Sequence, residues 1–145
     1  MINKQSEYSK KWVEDNLSKG LCSSCKEIRL PNSKRYCEKH YLQQKSKTHF
    51  KTTKLWAELL ELYISQDKKC AMTGDDLILG LNDSLDHIKP TSKTDSKYSK
   101  DMYNLRWTTR QVNTVKNDLS DFELIELLEK IKNHTTQSTK RKTSV

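Results

Sequence analysis

The sequence contains no apolar run of about 18 residues, the length a membrane-crossing helix needs, so no segment is expected to span a bilayer. Its opening stretch, MINKQSEYSKKWVEDNL, lacks the apolar centre of a secretory leader. Apolar residues are scarce throughout, 33% of 145, and can build only a thin core. Chains of that kind often recruit a metal or a partner for support. No internal repeat is present. Acidic charge is short too: 27 Lys and Arg stand against 19 Asp and Glu, a formal net charge of +8. A small protein this basic usually meets a polyanion, most often nucleic acid.

The excess charge is not spread evenly. Residues 1–54 hold 13 Lys and Arg against 5 Asp and Glu, whereas residues 55–145 hold 14 of each. The expected organisation is a basic binding module over 1–50, a near-neutral body over 51–134, and a basic disordered tail over 135–145. Four cysteines without a leader point to a reducing compartment, the cytoplasm, where thiols bind metal rather than form disulfides.

Three of those cysteines fall into one pattern. In LCSSCKEIRLPNSKRYCEKHY, the residues Cys22, Cys25, Cys37 and His40 read C-x2-C-x11-C-x2-H. Two close pairs joined by a turn-forming loop can each grip one edge of a tetrahedron, the geometry zinc takes, and four ligands close the site, so a structural Zn²⁺ is expected. The loop between the pairs offers Arg29, Lys34 and Arg35 to DNA phosphates. Tyr36 and Tyr41 are expected to pack beside the metal. Cys70 has Thr73 where a C-x2-C partner would stand, and is read as a small buried apolar residue.

TTKLWAELLELYISQDKKC has helical spacing at Leu55, Trp56, Leu59, Leu60, Leu62 and Tyr63. DLILGLNDSLDHIKP reads as two short strands, near 77–80 and 84–88, joined by a polar turn. A long polar connection, TSKTDSKYSKDMYN, follows, of a kind that in compact domains is usually functional. Thr108 with Gln111 and Ser120 with Glu123 each form a capping box, predicting two helices. Asn113, Lys116 and Asn117 share one face of the first. Phe122, Leu124, Ile125, Leu127, Leu128 and Ile131 make the second a core helix, and Trp107 is expected in the core.

Asp86-His87-Ile88-x-Pro90, then Asn104-Leu105, then Asn113-x-x-Lys116 follow one another on a hairpin, a loop and a helix. In that order they resemble the HNH endonuclease family with its ββα-metal fold, over roughly residues 68 to 118. The resemblance implies an α+β chain with a small ββα-metal core, flanking helices and the N-terminal zinc-stabilised module. It implies His87 as general base, Asp86 and Asn113 as ligands of Mg²⁺ or Mn²⁺, Asn104 as the residue that braces the loop and orients the histidine, and Lys116 near the cut phosphate. The chemistry is consistent on its own terms. A neutral imidazole accepts a proton near pH 7, and hard oxygen donors suit Mg²⁺.

Neighbours on a regular strand face opposite ways, so Asp86 and His87 can share one site only where the strand ends or bulges. Pro90 makes an ending the expectation. DNA is the partner the resemblance implies, cut to a 5′-phosphate and a 3′-hydroxyl by a monomer or homodimer in a bacterium or phage-infected cell. Layout alone suggests a homing-type enzyme. The alternatives are a non-catalytic zinc-finger DNA-binding protein and a restriction or phage-packaging nuclease.

Overall fold

The computed structural model describes residues 4–94 and 101–142. Its elements run α1 (Lys4–Ser18), α2 (Glu38–Phe50), α3 (Trp56–Ser65), β1 (Asp83–His87), β2 (Leu105–Thr109), α4 (Arg110–Lys116) and α5 (Asp121–Lys142). This is a mixed helix-and-strand chain with a two-stranded antiparallel sheet. Among the described residues, no helix is long and apolar enough to cross a membrane.

The sheet corrects the expected hairpin. β1 pairs with β2, from Asp83 opposite Thr109 to His87 opposite Leu105. The stretch near 77–80 forms no strand, because Gly80 turns the chain at φ +83°. Two of the backbone amides there are spent locally: Ile78 donates to Asn82 Oδ1 at 2.8 Å and Gly80 to Asp83 Oδ1 at 2.6 Å. Leu77 and Leu79 are nonetheless buried; the alternation marked a core contact rather than a ladder. The polar connection lies inside the β1–β2 hairpin, and its residues 95–100 lie outside the described set.

β2 runs directly into α4. The N-cap is Thr109, whose hydroxyl accepts from the Val112 amide at 3.2 Å, one residue later than expected. Thr108 is held instead by its strand pairing with Ser84, and its side chain is fully buried. The second box forms as expected, with Ser120 and Glu123 bonding reciprocally at 2.7 and 3.3 Å.

The core gathers Leu42 from α2, Leu59 and Tyr63 from α3, then Cys70, Leu77, Leu79, Leu85, Leu105 and Trp107. Trp107 is fully buried, and its indole N–H donates to the Leu59 carbonyl at 3.0 Å. Gln66 clamps the Trp107 backbone from both sides, at 2.9 Å each. α5 departs from expectation: of its apolar residues only Leu124 is buried, while Phe122, Ile125, Leu127, Leu128 and Ile131 are exposed. The helix also continues to Lys142, through most of the stretch expected as a disordered tail.

Candidate metal centre and the Asp86–His87 strand

The Cys3His cluster is built by two local structures. Cys37 is the N-cap of α2 and His40 stands in its first turn, so three residues of helical rise place both on one face. Cys22 and Cys25 sit on a tight turn in which the Ser24 amide points at Cys22 Sγ, 3.4 Å away. Asn16 of α1, itself buried, donates to the carbonyls of Cys22 and Cys25 at 3.3 and 3.4 Å and fixes that turn.

The four ligand atoms lie within 4.8 Å of one another. His40 Nδ1 is 3.5, 3.4 and 3.2 Å from the sulfurs of Cys22, Cys25 and Cys37, and the Cys25 and Cys37 sulfurs are 3.7 Å apart. Tetrahedral zinc, with bonds of about 2.0–2.3 Å, sets such edges at about 3.5–3.8 Å. The cluster could therefore hold a metal ion such as zinc. Burial pushes the Cys37 thiol up to about 11, and the adjacent thiols add to the rise. Burial also opposes ionisation of Cys22, but backbone bonds from Cys37, Ser24 and Cys25 outweigh it and the net shift is downward. A cation among these thiols would favour ionisation of all three.

Of the basic residues between the pairs, Lys34 and Arg35 are exposed. Arg29 is not: its guanidinium donates to the Lys34 carbonyl at 2.7 Å and its Nε is buried without a partner. That bond ties Arg29 to the loop between the pairs.

β1 ends at His87, yet its pairing is regular to the last residue, so Asp86 and His87 still alternate. Ser84 and Asp86 are contacted by α4; Asn113 Nδ2 donates to Ser84 Oγ at 2.9 Å, and Lys116 Nζ to Asp86 Oδ1 at 3.1 Å. The His87 ring instead meets His49 of α2, 5.7 Å between centroids. The structure thus brings Asp86, Asn113 and Lys116 to one face and sets His87 on the other. Asn104 is buried and accepts from the Lys89 amide at 2.8 Å while donating to the Lys89 carbonyl at 3.0 Å. That two-point clamp holds the hairpin loop beside His87 without a bond to its ring.

The residues expected to hold Mg²⁺ do not fit it as arranged. Asp86 is 3% exposed, and each of its oxygens already has a cation: Lys116 on Oδ1, and Arg106 on Oδ2 at 2.9 Å. Arg106 also forks onto Asp121 at 2.5 and 2.7 Å, lowering that carboxyl. Two cations and two carboxylates make a neutral set, and a divalent ion added there would face the buried ammonium at close range. Lys116 is fully buried and also donates to the His87 carbonyl at 2.7 Å. It cannot reach a phosphate from this position, a correction to its assignment.

Sequence reasoning missed His49, Asp83 and Arg106. Burial, with His87, Lys45 and Lys51 nearby, pushes His49 down to about 4, so it stays neutral near pH 7. No motif spacing announces it; only the fold sets the end of α2 against the end of β1. Asp83 is fully buried and receives Tyr41 at 2.8 and 2.9 Å and Lys45 at 3.0 Å. Burial and that carboxylate hold the Tyr41 hydroxyl far above its usual range. Compared with known proteins, the chain matches no protein family, no curated protein and no solved structure.

Proposed function

We propose that the protein is a DNA endonuclease of the HNH type, with Zn²⁺ at Cys22, Cys25, Cys37 and His40 holding its basic N-terminal part in place. The observation that supports this reading is the setting of His87. It is the last residue of β1, half-buried, with the Asn104-clamped loop on one side and the end of α2 on the other. A neutral His49 beside it removes one competing positive charge, and Lys51 close by offers an ammonium to a phosphate. In this reading His87 takes a proton from water and the oxygen forms its bond to phosphorus. The bond from phosphorus to the 3′-oxygen breaks, and that oxygen takes a proton from solvent water, leaving a 5′-phosphate and a 3′-hydroxyl. Exposed Lys34 and Arg35 add sequence-independent backbone contacts.

The Mg²⁺ or Mn²⁺ that belongs to the reading has no open seat at Asp86, whose two oxygens are held by Lys116 and Arg106. That saturation favours a second reading, a zinc-stabilised DNA-binding protein without catalysis. Supercoiled plasmid and phage or bacterial genomic DNA, incubated with Mg²⁺, Mn²⁺ or EDTA, separate the two. Nicking that His87→Ala abolishes while DNA retention is unchanged supports the nuclease. Retention that weakens steeply with salt, with no cleavage of either substrate, supports the binding protein.

A further inference from the structure

We propose that His49 and His87 form a two-imidazole site that cleaves single-stranded RNA through the substrate's own 2′-hydroxyl, with no divalent cation in the step. β1 sets Asp83, Leu85 and His87 on one face, and α2 lies against it with Tyr41, Lys45 and His49 each about one turn apart. The first two meet Asp83, Tyr41 at 2.8 Å and Lys45 at 3.0 Å. The third brings its ring to 5.7 Å from that of His87, inclined at 46°. The two rings are not stacked flat, and neither is held by a carboxylate. Among the described residues no group hydrogen-bonds to either ring. A histidine kept for packing normally has its ring N–H bonded. Both residues are half-buried rather than sealed. The fold has thus joined two proton-transfer groups from distant stretches of chain and given neither a structural partner.

Charge selects the ligand. From Lys39 to Ala57 the chain carries five lysines and no acidic residue. Lys45 and Lys51 stand close enough to His49 to help keep it neutral. Lys45 is spent on Asp83, but Lys51 is exposed at the end of α2. A divalent cation would be repelled by these ammonium groups, whereas a phosphodiester is drawn to them. With a hydrogen-bond reach of about 2.6–3.2 Å from each ring, the pair can touch two oxygens of one phosphate. Imidazoles supply proton transfer alone, so the nucleophile has to arrive with the substrate. RNA brings one, the 2′-hydroxyl, and DNA does not. His49 takes the proton of that hydroxyl, and the 2′-oxygen forms its bond to phosphorus. The bond from phosphorus to the 5′-oxygen breaks as His87, entering as imidazolium, gives that oxygen its proton. The products are a 2′,3′-cyclic phosphate and a 5′-hydroxyl, and the rings then exchange protons with water. This step uses neither Asp86 nor an ion at the carboxylate that Lys116 and Arg106 already fill. It shares only His87 with the DNA reading and does not depend on it.

The test incubates single-stranded RNA with the zinc-loaded full chain in buffer stripped of Mg²⁺ and Mn²⁺, beside the same RNA carrying 2′-O-methyl groups throughout. The unmodified strand should be cut, and mass spectrometry should find fragments ending in 2′,3′-cyclic phosphate. The methylated strand should stay whole. His49→Gln and His87→Gln should each slow cutting by about 100-fold or more, with the near-UV spectrum of the Trp107 core unchanged. Lys51→Ala should raise KM more than it lowers kcat. Unmodified RNA left whole overturns the proposal, whether or not the same preparation nicks plasmid with Mg²⁺. So does cutting that either histidine variant leaves intact, that methylation fails to block, or that requires Mg²⁺. RNA cut by a preparation that leaves plasmid whole supports this proposal and not the DNA reading.

Discussion

Two clusters of polar side chains lie on opposite parts of this chain, and they differ in their charge balance. The Cys3His cluster converges four ligand atoms with no cation of the protein's own among them. The Asp86 cluster converges a carboxylate with two, Lys116 and Arg106. The first could hold a metal ion; the second already carries its own counter-charges. Ligand-type residues in the right order are therefore not enough to identify a metal centre. What decides is whether the fold leaves their charge uncompensated.

The sharpest test of that contrast is removal of one thiol of the Cys3His cluster. Cys25→Ser is expected to cut bound zinc, measured by elemental analysis, from one equivalent per chain to well below it. Structural zinc binding carries on the order of 10 kcal/mol, so the thermal transition should fall by far more than a surface change would cause. Because α2 carries His40 at one end and His49 at the other, the loss should also be felt at His87, by its NMR shift.

The next largest effect belongs to the other cluster. Lys116→Met leaves Asp86 buried with one cation fewer and should cost about 3–5 kcal/mol in urea unfolding. If Lys116 occupies the seat a divalent ion would need, the same variant should bind Mn²⁺ more tightly by electron paramagnetic resonance, despite its lower stability. Unchanged Mn²⁺ affinity would break the comparison.

A smaller effect comes from His49. Its pKa is depressed in the folded chain, to about 4 from 6.5. The unfolded chain therefore binds the extra proton first as pH falls, and stability contributed above pH 6.5 is lost progressively toward pH 4. Partial exposure discounts this to on the order of 1 kcal/mol. His49→Gln should flatten that slope relative to wild type, while loss of metal in acid affects both proteins equally. Smallest, Thr109→Ala should cost about 1 kcal/mol through the α4 cap, and Thr108→Ala less, because the Thr108 hydroxyl bonds nothing.

The convergence of the Cys3His cluster was legible because its spacing is itself the geometry: Cys37 and His40 need only one helical turn to meet. The Ser120–Glu123 cap was legible for the same local reason. The strand partner was not. Apolar alternation at Leu77 and Leu79 mimics a strand, whereas LRWTT gains its pairing only from a chain segment some twenty residues earlier. The phosphate role that the resemblance implied for Lys116 fails because β1 sets Asp86 opposite α4, and the ammonium is drawn inward to it. His49 and Asp83 were invisible because each acts across the fold, on residues far away in sequence.

Asp83 carries a practical consequence. The charge distribution invites cutting the chain near residue 50 and studying the basic part alone. Yet Tyr41 and Lys45, before that point, donate into a carboxylate that lies after it and has no exposure to water. Leu42 is immersed in the same core. Either fragment would carry half of a sealed junction: one an orphaned buried acid, the other a phenol and an ammonium with nothing to meet. The molecule has no safe place to be divided there, and truncation at that point would report on damage rather than on a module.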